Sequence, residues 1–446
     1  MISAYENDTI MALATPPGQG GIAIVRVSGE NAVGLFEKLF KPAGKQRIES
    51  HRMLYGHVLD TEGNVLDECM GVVFLAPRSY TRENVAEYHL HGGEEAARGV
   101  MQALLDSGAR EAEPGEFTRR AFLNGRIDLS QAEAVMSVIS AHGEQAARAA
   151  ERQLAGGASS FVHELQEELT TLLAGVTAAL DYPEEISEEE AAADVRERTQ
   201  RIAARLENAC DERGARFLEQ GMEVVLYGRP NVGKSSILNA LLMEERAIVT
   251  DIPGTTRDIV KGSMILNGLR INLSDTAGIR EQADRVEAIG VELARKSVHH
   301  ADLVLLVLDA SEPIREEDRV LLEETADLPR LIIANKSDVN QGIEMPEGAL
   351  PLSARTGEGM EMLRQKIAEA AGKPCERELT SLRHMRLAKN AAGRLRLAEK
   401  ALEEGLPLDL AAVDLQEALE TLGGITGERV DEKLLDSVFS NFCVGK

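Results

Sequence analysis

The segment EVVLYGRPNVGKSSILNALL, residues 223–242, decides the fold of this chain. Its apolar start predicts a strand, a glycine-rich loop follows, and the second apolar run has the spacing of a helix. From Gly228 to Ser235 the loop matches G-x-x-x-x-G-K-S, in which backbone N–H groups converge on phosphate oxygens at a helix N-terminus. The alternative is a turn that binds nothing, but the flanking strand and helix favour phosphate binding. The predicted contacts are Asn231, Val232, Gly233, Lys234, Ser235 and Ser236.

Within this loop, Lys234 is expected to reach the β and γ phosphates in a catalytic role, and Ser235 is expected to ligate magnesium. Downstream, the segment TDIPGTTRD, residues 250–258, offers Thr256 as a second magnesium ligand. The segment INLSDTAG, residues 271–278, places a carboxylate at a strand end, where it can hold the metal through water. Its predicted nucleotide contacts are Asp275, Thr276, Ala277 and Gly278.

Two further strand ends predict recognition of guanine. LIIANKSD, residues 331–338, ends in Asn335, Lys336 and Asp338, and LSARTG, residues 352–357, supplies Ser353, Ala354 and Arg355. A carboxylate at position 338 can accept hydrogen bonds from the N1–H and exocyclic amine of guanine, which adenine does not present. Four motifs in this order predict a doubly wound guanine-nucleotide-binding module.

The residue after the Asp-Thr-Ala-Gly motif departs from the Ras pattern. Ile279 stands where Ras-like proteins carry the glutamine that orients the attacking water. Glu287 is the candidate replacement, and the alternative for it is an ordinary glutamate on a helix surface.

Composition limits the remaining function classes. The chain has 446 residues, enough for about three domains, and its net charge of -25 argues against a nucleic-acid binder that works by global attraction. Tryptophan is absent and aromatic residues make up 3%, which disfavours a base-stacking surface. The four cysteines lie far apart, so neither disulfides nor a cysteine metal site is expected. Without a leader pattern or a long apolar run, the sequence predicts a cytoplasmic protein.

The order of strand-like and helix-like segments along the sequence predicts an α/β and α multidomain fold. An N-terminal α/β domain is expected over 1–117, and a helical domain over 118–217 and 377–446 is interrupted by the P-loop module at 218–376. In DLSQAEAV, residues 128–135, Ser130 and Glu133 predict a capping box at a helix start. The basic stretch at 381–400 is either a solvated helix face or a surface for tRNA or an acidic partner.

The four GTPase motifs, the helical segments on either side and the closing FCVGK, residues 442–446, together resemble the tRNA-modification GTPase family MnmE, also called TrmE. The resemblance covers essentially the whole chain. It implies a cytoplasmic homodimer that forms a heterotetramer with the flavin protein MnmG, which carries FAD. It also implies that the complex adds an aminomethyl-type (carboxymethylaminomethyl) group to C5 of the wobble uridine of tRNA.

The same resemblance implies GTP hydrolysis that depends on potassium and on pairing of two G domains. The implied potassium ligands are the side-chain oxygen of Asn231 and the carbonyls of Thr250, Ile252 and Thr255. A cation there offsets the charge that develops between the β and γ phosphates. Glu287 matches the family's water-orienting glutamate.

For the N-terminal domain the resemblance implies dimerisation and a reduced folate, 5,10-methylenetetrahydrofolate or 5-formyltetrahydrofolate, as the one-carbon donor. The matching positions are Arg26, Glu87, Arg126 and Lys446. Position 126 is commonly lysine in the family, so Arg126 keeps the charge but changes the donor geometry. Cys443 would be a catalytic thiol brought to this pocket by the tail, and its alternative is a small apolar residue at a helix end.

Two other functions fit parts of this pattern. One is a regulatory GTPase switch in ribosome assembly that performs no modification chemistry, and the other is a folate enzyme merely fused to a GTPase. The switch would leave the C-terminal thiol without a task, and the fusion would transfer one-carbon units without GTP.

Overall fold

The computed structural model describes residues 8–185, 187–243, 262–275, 295–339, 344–372 and 377–446. The chain divides into two compact units. The first comprises Met1–Met136, Leu154–Ala174 and Gln416–Lys446, and the second comprises Ser137–Gln153 and Gly175–Leu415. Within the described ranges, no helix has both the length and the apolar content that crossing a bilayer requires.

The first unit contains a seven-stranded sheet in the order β3-β4-β5-β6-β2-β1-β7. Its neighbours pair antiparallel except β1 and β7, which are parallel. The strands are β1 Ile10–Leu13, β2 Ala23–Ser28, β3 Phe40–Pro42, β4 Leu54–Leu59, β5 Val65–Phe74, β6 Val85–Leu90 and β7 Arg110–Glu111.

Two helices, α1 Ala32–Leu39 and α2 Glu94–Asp106, bury their apolar faces in the core of this sheet. At its centre the rings of Phe36 and Phe40 stack with centroids 4.8 Å apart, and Tyr88 lies 5.2 Å from Phe36. Val25 and Val27 on β2 and Ala86 and Tyr88 on β6 belong to this core. Because side chains alternate along a strand, the residues between them face the other side of the sheet. That side carries Arg26 and Glu87.

Helices follow the sheet in the first unit. They are α3 Glu116–Leu123, the first part of α4 Leu129–Ser140, the first part of α6 Gly157–Asp181, the last part of α13 Leu408–Thr426, and α14 Glu432–Phe439. A cluster of Leu129, Leu435, Phe439 and Phe442 packs the end of the chain against α4. The C-terminal segment is therefore anchored by apolar burial and is not a frayed end.

The capping box predicted at Ser130 is wrong, because α4 begins two residues earlier than that box requires. Asp128 is the cap: its Oδ1 accepts from the Gln131 backbone N–H at 2.9 Å, and Gln131 Oε1 accepts from the Asp128 N–H at 3.1 Å. Ser130 lies inside the helix and is fully buried, with its hydroxyl 3.0 Å from that of Ser159. Two overlapping cap patterns occur in this segment, and burial of Ser130 selects the first.

The second unit contains a six-stranded sheet in the order β13-β12-β11-β8-β10-β9, parallel except for β9. The strands are β8 Met222–Tyr227, β9 Gly262–Leu266, β10 Leu269–Asp275, β11 Leu303–Asp309, β12 Arg330–Asn335 and β13 Leu350–Leu352. Among the described residues, the helices that alternate with them include α9 Lys234–Met243, α10 Glu316–Glu324 and α11 Met360–Ala371. The predicted α/β module inserted between helical segments is confirmed.

Other helices that the structure describes in this unit include α5 Glu144–Leu154, α7 Glu188–Asn208, α8 Glu212–Gln220 and α12 Leu382–Glu403. The longest of them, α7 and α12, pack against each other. Along α12 the basic stretch is largely paired: Arg396 bonds Glu207 at 3.0 Å, Lys389 bonds Glu212 at 2.6 Å, and Arg394 bonds Asp414 at 3.3 Å. This pairing leaves little free positive charge for an RNA phosphate and favours the solvated-face interpretation.

Candidate functional site

The loop between β8 and α9 has the backbone geometry of a phosphate cradle. Gly228 has a φ of 154° and Gly233 a φ of 97°, values that side chains disfavour. A Cβ on Gly228 would lie 2.4 Å from the Val307 carbonyl oxygen, and one on Gly233 would lie 2.2 Å from Asn335 Nδ2. Both glycines are therefore required for the loop to approach the neighbouring strand ends.

Lys234 begins α9, is 5% exposed, and spans the loop. Its Nζ donates to the carbonyl oxygens of Gly228 at 3.0 Å and Arg229 at 2.8 Å. The ammonium is thereby held at the mouth of the cradle, where phosphate oxygens would meet it. The other predicted contacts in the first turn and loop are placed beside it, with Val232 buried and Asn231, Ser235 and Ser236 exposed.

Ser235 and Asp275 meet across the parallel pair of β8 and β10. The Ser235 hydroxyl donates to Asp275 Oδ2 at 2.7 Å, and Asp275 ends β10 with no exposed surface. A hydroxyl and a carboxylate are oxygen ligands of the kind that magnesium prefers. These two residues fit the magnesium site that the sequence predicts.

At the end of β12, Asn335 ties the segment that is predicted to recognise guanine to the loop that is predicted to bind phosphate. Its Nδ2 donates to the Val232 carbonyl at 2.8 Å, and its Oδ1 accepts from the Ala354 backbone N–H at 3.2 Å. Asn335 is 3% exposed, so these bonds are shielded from water. This residue positions its neighbours and has its amide already engaged.

Asp338 and Ser353 are also brought together. The Ser353 hydroxyl donates to Asp338 Oδ1 at 2.7 Å, and this hydrogen bond holds the pKa of Asp338 below its usual value. Arg355 Nε lies 3.9 Å from the other oxygen of the same carboxylate. The carboxylate is thus oriented and ionised, as guanine recognition requires.

Two supporting residues escape motif-based reasoning. Lys336, with a φ of 65°, donates from Nζ to Asp309 Oδ2 at 2.5 Å. Burial acts to raise the pKa of Asp309, but hydrogen bonds from Lys336 and Ser311 outweigh it, so that pKa lies below its usual value. The sequence analysis missed Asp309; the signal that marks it is an acid at the end of a strand that is otherwise fully apolar.

The second support is Asp318, which holds the variable part of the phosphate loop. Arg229 is 8% exposed; its Nε donates to Asp318 Oδ1 at 2.6 Å and its Nη2 donates to Glu312 Oε1 at 2.7 Å. Because the Arg229 carbonyl accepts from Lys234, this ion pair fixes one of the two acceptors of the lysine. No sequence signal marks Asp318, since its partner lies 89 positions away.

Several predicted residues fall outside the ranges that the structure describes. They are Thr250, Ile252, Thr255, Thr256, Thr276, Ala277, Gly278 and Glu287.

A second cluster of predicted residues lies in the first unit, on the face of the sheet away from its core. Arg26 and Glu87 are register partners on β2 and β6, and Arg26 Nε donates to Glu87 Oε1 at 2.8 Å. His89 Nε2 lies 3.1 Å from the other carboxylate oxygen. Burial acts to raise the pKa of Glu87, but the hydrogen bond from His89 and the charge of Arg26 outweigh it, so that pKa lies below its usual value and the carboxylate is held ionised.

A cleft of about 480 Å³ opens beside this ion pair. Glu87, Tyr80 and Arg126 contribute to its lining, together with His51 and Arg82. The Arg126 guanidinium lies 4.7 Å from the Tyr80 ring centroid, within the range of a cation–π contact. The cleft therefore combines one carboxylate, several cations and an aromatic face.

The C-terminal tail docks against the same face. Phe442 is buried. Gly445 has a φ of 95°, and there is no room for a Cβ at this position, because that atom would lie 2.5 Å from the Leu13 carbonyl oxygen. Arg26 Nη1 donates to the Gly445 carbonyl at 3.3 Å. The tail is thus seated at the arginine that the sequence predicts for a ligand pocket.

Two tail residues carry chemistry. Burial, followed by the charge of Arg26, lowers the pKa of Lys446, while the Cys443 thiol is exposed. The structure therefore brings together Arg26, Glu87 and Lys446 and presents Cys443 to solvent on a fixed tail.

Two family models match the chain. The one described as "GTP-binding protein TrmE N-terminus" matches residues 9–126, and the one described as "MnmE helical domain" matches residues 129–443. Solved structures resemble part of it: the G domain of the T. maritima FeoB iron transporter is 30% identical over 34% of this chain and 98% of that one, with a TM-score of 0.26. Aquifex aeolicus Era bound to GDP and AlF4- is 26% identical over 39% and 67%, with a TM-score of 0.27.

Two relatives that align with nearly the whole chain carry the same name. A "tRNA modification GTPase MnmE" of Streptococcus pyogenes serotype M5 (strain Manfredo) is 44% identical, and the alignment covers 99% of each chain. The protein of the same name from Streptococcus thermophilus (strain CNRZ 1066) is also 44% identical over 99% of each chain. With the nucleotide cradle and the docked tail in place, these matches show that the chain belongs to the MnmE (TrmE) family of tRNA modification GTPases.

Proposed function

We propose that this protein is a potassium-dependent GTP hydrolase that drives folate-dependent addition of a carboxymethylaminomethyl-type group to C5 of the wobble uridine of tRNA. It acts in the cytoplasm as a homodimer and forms a heterotetramer with the flavin protein MnmG, whose FAD takes part in the modification. Residues 1–117 bind folate and dimerise, residues 218–376 hydrolyse GTP, and residues 118–217 and 377–446 form the helical domain.

The phosphate side of the nucleotide site supports the hydrolase activity. Lys234, already held at the mouth of the cradle, binds the β and γ phosphates and stabilises charge that develops during cleavage. Ser235 and Asp275 hold Mg²⁺, with Thr256 as the second hydroxyl ligand. Magnesium, when bound, neutralises phosphate charge and fixes the phosphate geometry.

Potassium and the attacking water are assigned to neighbouring positions. Asn231, at a φ of 64° in the loop, offers its side-chain oxygen to K⁺ together with the carbonyls of Thr250, Ile252 and Thr255. Glu287 orients the water. Ile279 is apolar and has no group that can orient water, so the orienting side chain must come from another position.

The single observation that supports the modification chemistry is the seat of the tail. A chain end would ordinarily fray, yet here Phe442 is buried and Arg26 bonds the Gly445 carbonyl. Reduced folate, either 5,10-methylenetetrahydrofolate or 5-formyltetrahydrofolate, binds at Arg26, Glu87, Arg126 and Lys446. Cys443 then presents its thiol beside the one-carbon unit.

Replacement of the tail thiol tests this function against a regulatory switch. In Cys443→Ser we expect GTP turnover within about twofold of wild type and tRNA modification reduced by on the order of 100-fold, since only the catalytic thiol is removed. The matched control is Cys210→Ser, a thiol of the other compact unit. Modification by Cys443→Ser at the wild-type rate would remove the thiol from the chemistry and leave the switch as the better account.

A further inference from the structure

A two-stranded hairpin runs from the nucleotide site to a part of the molecule outside it. β10 ends at Asp275, which accepts the Ser235 hydroxyl, and begins at Leu269 beside the turn that joins it to β9. Seven residues at about 3.3 Å each place the turn roughly 20 Å from Asp275 along the strand. Asn267 and Gly268 form that turn with φ values of 50° and 75°, the left-handed pair typical of tight hairpins.

The start of α5 holds this turn through two hydrogen bonds. The Gln145 backbone N–H donates to the Gly268 carbonyl at 3.0 Å, and Gln145 Nε2 donates to the Asn267 carbonyl at 2.7 Å. Gly143, with a φ of 100°, makes the approach possible, because a Cβ there would lie 2.4 Å from the Gly268 oxygen. Burial and then the charge of Arg270, a residue of β10, lower the pKa of His142.

The other end of α5 is tied to the helical part of the chain. Gln153 accepts at Oε1 from the Thr380 hydroxyl at 3.1 Å, just before α12 begins. At the next residue, Leu154, the chain passes from the second compact unit into the first. α5 therefore joins the hairpin turn, the start of α12 and the chain path to the other unit.

We propose that residues 143–145 are the contact through which the state of the nucleotide site is passed to the helical part of the chain, with Gln145 as its positioning residue. β10 is one continuous strand, paired with β8 over residues 271–275 and with β9 over residues 269–273, so a displacement at Asp275 is carried along it to the turn. The two hydrogen bonds from Gln145 to the turn then pass that displacement to α5. The proposal deepens the proposed function, because it names how GTP hydrolysis is coupled to modification.

The test is hydrogen exchange of the full-length chain without nucleotide, with GDP and with a non-hydrolysable GTP analogue. In wild type we expect exchange in both β10 and α5 to respond to the analogue by at least about threefold. In Gln145→Ala the α5 response is lost, while the β10 response persists and GTP turnover stays within about twofold. Gly143→Ala, which forces the turn away, gives the same separation.

Glu151→Ala is the matched control, because Glu151 is an exposed residue on the same helix and lies two turns from the hairpin contact. In Glu151→Ala we expect hydrogen exchange in α5 and β10 to respond to the analogue as it does in wild type. The proposal is overturned if wild-type α5 ignores the nucleotide while β10 responds, if Gln145→Ala keeps the α5 response, or if that variant loses GTP turnover as well. The exchange experiment needs no tRNA, so failure of wild type to modify tRNA would contradict the proposed function alone.

Discussion

Lys336 illustrates how a motif residue depends on a partner that no motif contains. Its ammonium is held by Asp309, whose carboxylate is also bonded by Ser311. In Asp309→Asn we expect affinity for GDP to fall about 3- to 10-fold. The ion pair positions the Lys336 side chain against the proposed guanine base, and its contribution is modest because it is partly exposed. Calorimetry with GDP measures the change, and Asp327→Asn, an exposed acid before β12, is the control. Unchanged affinity in Asp309→Asn would show that Lys336 needs no such support.

At this scale the sequence predicted the residues that are proposed to face the nucleotide, but not the residues that hold them in place. Lys234, Ser235, Asp275, Asn335 and Asp338 occur in short segments whose spacing carries the chemistry. The residues behind them, Asp309 and Asp318, act on side chains 27 and 89 positions away. Such pairs are set by strand order and helix packing, which single segments do not contain.

The C-terminal tail is an element whose position depends on one glycine. Gly445 combines a φ of 95° with a backbone contact that excludes a Cβ. In Gly445→Ala we expect the tail to undock, since left-handed backbone costs roughly 1–2 kcal/mol and the contact adds to it. Release of C-terminal residues by a carboxypeptidase should accelerate about 10-fold, with GTP turnover unchanged.

Val444→Ala is the control for this variant, because Val444 precedes Gly445 in the tail and is 53% exposed. We expect it to resist the carboxypeptidase as wild type does. Equal rates of release in Gly445→Ala and wild type would mean that the seat at Arg26 tolerates a side chain, contrary to the geometry.

Helix and strand types followed from sequence patterns more readily than their boundaries. The strand, loop and helix around Gly228 were predicted from apolar spacing, and the structure has all three. The start of α4 was misplaced because Asp128 with Gln131 and Ser130 with Glu133 both satisfy the cap pattern. Contact of Ser130 with Ser159 decided between them, and that contact joins segments 29 positions apart.

For the whole molecule, the sequence predicted an inserted α/β module but not how the chain is shared between compact units. α5 belongs with the inserted module and α14 with the N-terminal sheet, although both lie in the helical family match. Helical residue spacing alone assigns both helices to one helical domain. It does not reveal their packing partners, because those partners are remote in sequence. The paired acids along α12 likewise explain why a stretch that reads as basic carries little free charge.

The central claim for the whole molecule is that GTP cleavage becomes fast only when two copies pair over a potassium ion. The most direct measurement is GTP turnover per protomer, at constant ionic strength in potassium or sodium, across a range of protein concentrations. We expect turnover in potassium to rise with concentration and turnover in sodium to be lower by about 10-fold or more, because the proposed potassium ion offsets the charge that develops between the β and γ phosphates. Turnover that is equal in both salts and independent of concentration would contradict the account.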